Sequence, residues 1–115
     1  LPTSLVYLYT SEFFDNLAFD YVDVNRSPKH DFHSFHINNY QKNQILTEVE
    51  KWLFAQLKNE TNKIQLKKDI TKHENQILNR FSALIIRQRW GWSEMQMFLN
   101  QNDKVIASSL SLLDN

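Results

Sequence analysis

Ile64-Gln-Leu66-Lys-Lys-Asp-Ile70-Thr-Lys-His73-Glu-Asn-Gln-Ile77-Leu-Asn-Arg-Phe81-Ser-Ala-Leu84-Ile-Ile-Arg-Gln-Arg-Trp90 is the stretch whose reading decides the fold. Leu66, Ile70, Ile77, Phe81 and Leu84 are separated by steps of four, seven, four and three, which keep them on one face of an α-helix. Ile70, Ile77 and Leu84 also recur every seven residues, a seam that a partner helix can fill. The stretch has no proline or glycine. It stops at Gly91, the only glycine in the chain, where a left-handed residue can end a helix. One long helix over 64–90 is therefore expected.

Outward from this helix, composition favours the same class. The chain has 115 residues, enough for one domain with its own core. One glycine and two prolines supply few tight turns, whereas all-β folds need many. The expected fold is all-α, a compact bundle of four or five helices around the 64–90 helix. Residues 1–115 are read as a single helical domain, and the start at Leu1 rather than Met as the mark of excision from a longer chain. The alternative is an α+β fold in which Leu5–Tyr9 pairs with Phe19–Val24 in a small N-terminal hairpin.

Before the central helix, Thr10 or Ser11 can cap a helix with Phe13, Leu17, Tyr21 and Val24 inward. Asn25 to Ile37 carries turn formers and a proline, and Phe32, Phe35 and Ile37 can pin it to the core. Asn38 or Asn39 then caps a helix striped by Leu46, Val49, Leu53 and Leu57 and widened by Ile45, Trp52 and Phe54. Residues 59–62 are the ambiguous joint. Without a break there, 39–90 would form a rod of roughly 78 Å at 1.5 Å per residue. A compact domain of this length has a radius of gyration near ~13 Å, so a helical hairpin turning at 59–62 is expected. Ser93 and Gln96 fit a capping box for a short helix with Met95, Phe98 and Leu99 inward. Val105, Ile106, Leu110 and Leu113 stripe a last one.

Thirteen basic and thirteen acidic residues give a formal charge of zero, so no global field attracts nucleic acid. The charge is nonetheless segregated. Residues 1–25 hold Glu12, Asp15, Asp20 and Asp23 and no base. Residues 58–89 hold eight basic residues against three acidic ones, a balance of +5. There is no cysteine, which excludes disulfides, thiolate metal sites and thiol nucleophiles and leans toward an intracellular setting. No apolar run is long enough to span a membrane. Glycine-rich phosphate loops and the common hydrolase and kinase signatures are absent.

Three constellations remain. His30, Asp31, His33 and His36 are good donors for a divalent metal such as zinc, although they crowd into one loop. Lys63, Lys67, Lys68, Arg80, Arg87 and Arg89 could form a nucleic-acid face, an unlikely partner for a neutral chain. Trp52, Phe54, Arg87, Arg89, Trp90 and Trp92 combine aromatic and arginine side chains of the kind that dominate protein interfaces. The acidic residues of 1–25 read as a solvated face. His73, on the seam between Ile70 and Ile77, reads as a register-setting core residue. The favoured reading is a non-catalytic helical interaction or assembly module, needing no cofactor, that binds another protein or itself. Protein purified without a histidine tag is expected to hold no stoichiometric zinc by elemental analysis and to melt unchanged when zinc is added. One zinc per chain would shift the reading to the histidine loop.

Overall fold

A computed structural model describes residues 1–24, 35–57 and 62–101. Among them are six helices and no strand. They are α1 (Thr3–Tyr9), α2 (Glu12–Val24), α3 (Asn39–Gln56), α4 (Lys63–Lys72) and α5 (Glu74–Arg89), with α6 over 92–101. The fold is an all-α bundle. No helix among the described residues is long and apolar enough to cross a membrane.

The hairpin alternative at the N-terminus fails because both of its segments are helical. Leu5 and Leu8 sit on one face of α1 and are fully buried, an i, i+3 pattern that a strand cannot present. Ser11 closes α1 and opens α2. Its hydroxyl donates to the Leu8 carbonyl at 2.6 Å and accepts from the Phe14 N–H at 3.4 Å. The inward face of α2 is wider than the spacing of Phe13, Leu17 and Tyr21 suggests. Phe14 and Ala18 lie at its centre, fully buried, because α2 is covered on two sides. Phe13 stacks on Trp52 of α3, with ring centroids 4.6 Å apart. Phe14 and Tyr21 both meet Phe81 of α5 at 5.7 Å.

Asn38 caps α3 in a reciprocal box. Its side chain accepts from the Gln41 N–H at 2.8 Å, and the Gln41 side chain accepts from the Asn38 N–H at 3.1 Å. Ile45, Val49 and Leu53 are the buried stripe of α3. Phe35 and Ile37, just before the cap, pack on the core as expected. Phe32 lies outside the described residues, as do the Asn59–Thr61 joint and the stripe from Val105 to Leu113.

Helix α4 returns antiparallel to α3, which removes the rod. Lys63 lies over the Phe54 ring at 5.5 Å, Lys67 faces Glu50 at 3.9 Å, and Lys42 pairs with Glu74 at 2.8 Å. As one partner advances along the chain, the other retreats by nearly the same number of residues. That is the signature of an antiparallel pair.

The single helix expected over 64–90 is two helices. The chain bends at His73, with φ −111° and ψ 17°. The hydrogen bonding is continuous on either side. The His73 N–H donates to the Asp69 carbonyl at 3.1 Å, and its carbonyl accepts from the Ile77 N–H at 3.0 Å. Ile70, Thr71 and His73 are weak helix formers close together. Lys72 ends α4 and Glu74 begins α5, each of the sign that suits its helix dipole. The bend lets α4 cover α3 with Leu66 and Ile70 while α5 covers α2 with Phe81. His73 is the half-buried joint itself rather than a polar residue within a continuous seam.

Gly91 does adopt the left-handed region, at φ +119°. The N–H groups of Trp90 and Gly91 both donate to the Ile86 carbonyl, at 2.8 and 3.2 Å. The Gly91 carbonyl then accepts from the Met95 N–H at 3.2 Å. Gly91 thus ends α5 and begins α6. The capping box expected at Ser93 does not form, since Ser93 is already within the first turn of α6.

Phe81 is fully buried between α2 and α5. Phe81→Ala is expected to cost about 3–5 kcal/mol by the removal of a large core side chain. Gly91→Ala is expected to cost about 1–3 kcal/mol by backbone strain. Urea unfolding followed by far-UV circular dichroism checks both. Equal stability of Gly91→Ala and wild type would show that the α5–α6 junction is misassigned.

Candidate docking cleft

Between the C-terminal half of α2 and the N-terminal half of α3 lies an open cleft of about 520 Å³. Helical spacing builds its walls. Leu17, Asp20 and Tyr21 come from one face of α2; Gln41, Gln44, Ile45 and Glu48 come from one face of α3. Phe81 of α5 closes the floor. The deep surface is therefore aliphatic and aromatic, with Ile45 and Phe81 buried and Leu17 and Tyr21 half-buried. Tyr40 stands at the mouth, 72% exposed, and its hydroxyl accepts from the Gln44 amide at 3.1 Å.

Asp20 and Glu48 are exposed, one on each wall. Among the described residues, none that lines the cleft is basic. The cleft thus combines an apolar floor with carboxylates on both rims. Open clefts with an apolar lining and a few polar groups at the rim are common ligand and partner sites.

The residues singled out from sequence fall elsewhere. Trp52 is sandwiched between Phe13 and Tyr7, with the Tyr7 ring 5.4 Å away and inclined by 19°. Phe54, further along α3, lies at the edge of exposure under the Lys63 ammonium. Trp90 packs edge-on to Phe35 at 6.3 Å, and the Arg89 guanidinium sits 4.8 Å from its ring. Trp92 is 61% exposed at the start of α6, and Arg87 is exposed near the end of α5. Trp52 packs on the main core and Trp90 on a second cluster of Ala83, Ile86 and Met95.

Of the metal candidates, His30, Asp31 and His33 lie outside the described residues. His36 is exposed just before α3. Among the described residues no three histidine, aspartate or glutamate side chains gather as a metal site would require. The basic residues divide at the bend. Lys63, Lys67 and Lys68 are exposed on α4. On α5, Arg80 lies 4.3 Å from the Tyr9 ring centroid and Arg89 covers Trp90.

Leu17 and Tyr21 were legible as one face of α2. Tyr40 and Glu48 were missed, being off the apolar stripe of α3. The signal that could have found Tyr40 is a large aromatic outside the stripe in a helix's first turn, where the core does not require it. Compared with known proteins, the chain matches no family model, no curated sequence and no solved structure.

Two tyrosines respond to pH, Tyr21 in the cleft and Tyr9 outside it beneath Arg80. Burial raises the Tyr21 phenol above its ordinary value of 10.0. Burial also raises Tyr9, an effect opposed by the positive charge of Arg80. A raised value means that the folded chain holds its phenolic protons more tightly than the unfolded chain does. This contribution is complete below about pH 10 and is lost as pH rises through the folded-state values. The urea midpoint is therefore expected to fall from about pH 9 to about pH 11, and to fall less in a Tyr9→Phe/Tyr21→Phe variant. The buried Tyr9 hydroxyl has no hydrogen-bond partner, so Tyr9→Phe is expected to cost little at neutral pH. An unchanged alkaline loss in the double variant would contradict the assignment.

Proposed function

We propose that this chain is a non-catalytic protein-docking module, and that the α2/α3 cleft takes the apolar edge of a helix bearing lysine or arginine. The carrying observation is the pairing of an open apolar cleft, floored by Phe81, with carboxylates on both walls. A helix laid in such a groove buries one row of side chains and keeps its charged flanks in solvent. Asp20 and Glu48 favour a basic flank and disfavour an acidic one, which gives specificity and speeds encounter. The walls are helices fixed by Phe14, Tyr21 and Ile45 in the core, so the cleft is held open before binding.

A fluorescein-labelled amphipathic peptide of leucine and lysine, about four helical turns long, is a suitable probe. Fluorescence anisotropy is expected to show saturable binding that Asp20→Lys/Glu48→Lys weakens at least about tenfold, or 1.4 kcal/mol. Glu12→Lys/Asp15→Lys makes the same change in net charge outside the cleft and is expected to leave binding intact. No binding, or equal loss in both double variants, would overturn the reading.

A further inference from the structure

We propose that the occupant of the cleft is a second copy of this chain, which inserts Ile64 and the outer lysines of α4. This inference rests on the docking reading of the cleft and names its partner.

Helix α4 turns Leu66 and Ile70 onto α3, both buried. At 100° per residue the opposite side carries Ile64, Lys68 and Thr71, with Lys67 and Lys72 on its flanks. Ile64 is 71% exposed. It is a branched apolar side chain in the first turn of a helix whose outer face is otherwise polar, and the bundle makes no use of it. The Phe54 ring of α3 is 37% exposed under Lys63, the residue before Ile64. Lys67 is loosely held, at 3.9 Å from Glu50 with 60% of its side chain exposed. Lys68 and Lys72 are exposed and form no ion pair among the described residues. The outer edge of α4 is therefore an apolar knob among lysines, the chemistry that the cleft selects.

The two surfaces are complementary in sign. The cleft rims carry Asp20 and Glu48, and residues 1–25 hold four acidic side chains and no base. The chain is neutral overall only because its basic excess lies in 58–89. A neutral chain with separated poles attracts copies of itself when opposite poles meet. Helix α4 is held on its own α3 with Ile64 turned outward, so it cannot enter the cleft of the same molecule. The contact is therefore made between molecules and runs head to tail, donor edge into acceptor cleft. Such a heterologous interface builds rings or open chains rather than a two-fold dimer.

Sedimentation velocity up to about 1 mM, the weak end of specific association, reads the outcome. Wild type is expected to form dimers and larger species as concentration rises. Ile64→Asp removes the donor and Asp20→Lys/Glu48→Lys removes the acceptor; each variant alone is expected to remain monomeric. Mixed in equal amounts, they are expected to form a one-to-one dimer, because each supplies the half that the other lacks. Circular dichroism confirms that both variants keep the helical fold. A monomeric wild type, variants that still associate, or a mixture that fails to recover the dimer would overturn the proposal. Ile64→Asp keeps its cleft and is expected to bind the leucine–lysine peptide like wild type. Peptide binding without self-association would remove the second copy and leave the cleft reading standing; loss of both would remove both.

Discussion

The apolar stripe from Leu66 to Leu84 has to be covered by two helices that do not lie in one line. Helix α3 covers its first part and α2 its second, and a straight rod of 27 residues cannot serve both. The chain meets this constraint by bending at His73. Leu66 and Ile70 then lie against Val49 and Leu53, while Phe81 reaches Phe14 and Tyr21. Gln88 of α5 donates to the Asp15 carbonyl at 3.3 Å, so α2 and α5 run antiparallel as well. Every other element depends on this arrangement. Helix α1 closes over α2 and α3, and α6 folds back on Ala83 and Ile86 once Gly91 has turned the chain.

The cleft follows from the same constraint. Helix α2 packs along α5, whereas α3 packs on α4 and reaches α5 at the Lys42–Glu74 pair. Between the C-terminal half of α2 and the N-terminal half of α3, Phe81 lies at the base of the cleft. Filling that space would require side chains larger than those at Leu17 and Ile45. The polar residues along the rims show that the surrounding surface tolerates water. The aromatic stack of Tyr7, Trp52 and Phe13, half-buried at the edge of the bundle, ties α1 and α2 to α3.

Much of this architecture is legible in the chain, because helix ends and apolar periods are local properties. Gly91 marks the end of α5, and Asn38 and Ser11 mark the starts of α3 and α2, since each needs only its own backbone neighbours. The bend at His73 was not legible. Its flanks keep the same apolar period, and the weak helix formers at 70–73 permit a bend that packing on both α2 and α3 then selects. Phe14 and Ala18 were missed as the centre of α2 for a similar reason, as a helix touched on two sides has no single stripe. The run Leu5–Tyr9 is too short for periodicity to separate strand from helix. The cleft was least legible. A groove is a property of two elements together, and its exposed residues, Tyr40, Glu48 and Asp20, carry no pattern of their own.

The central claim is that 64–90 bends and folds back against α3 rather than extending from it. Small-angle X-ray scattering, extrapolated to zero concentration, tests it most directly. The bundle has a radius of gyration of 15.2 Å over its Cα atoms. The account predicts a solution value close to this, slightly enlarged by hydration. A continuous helix over 39–90, roughly 78 Å long, would alone give about 22 Å or more, and a value in that range for the isolated molecule would contradict the account.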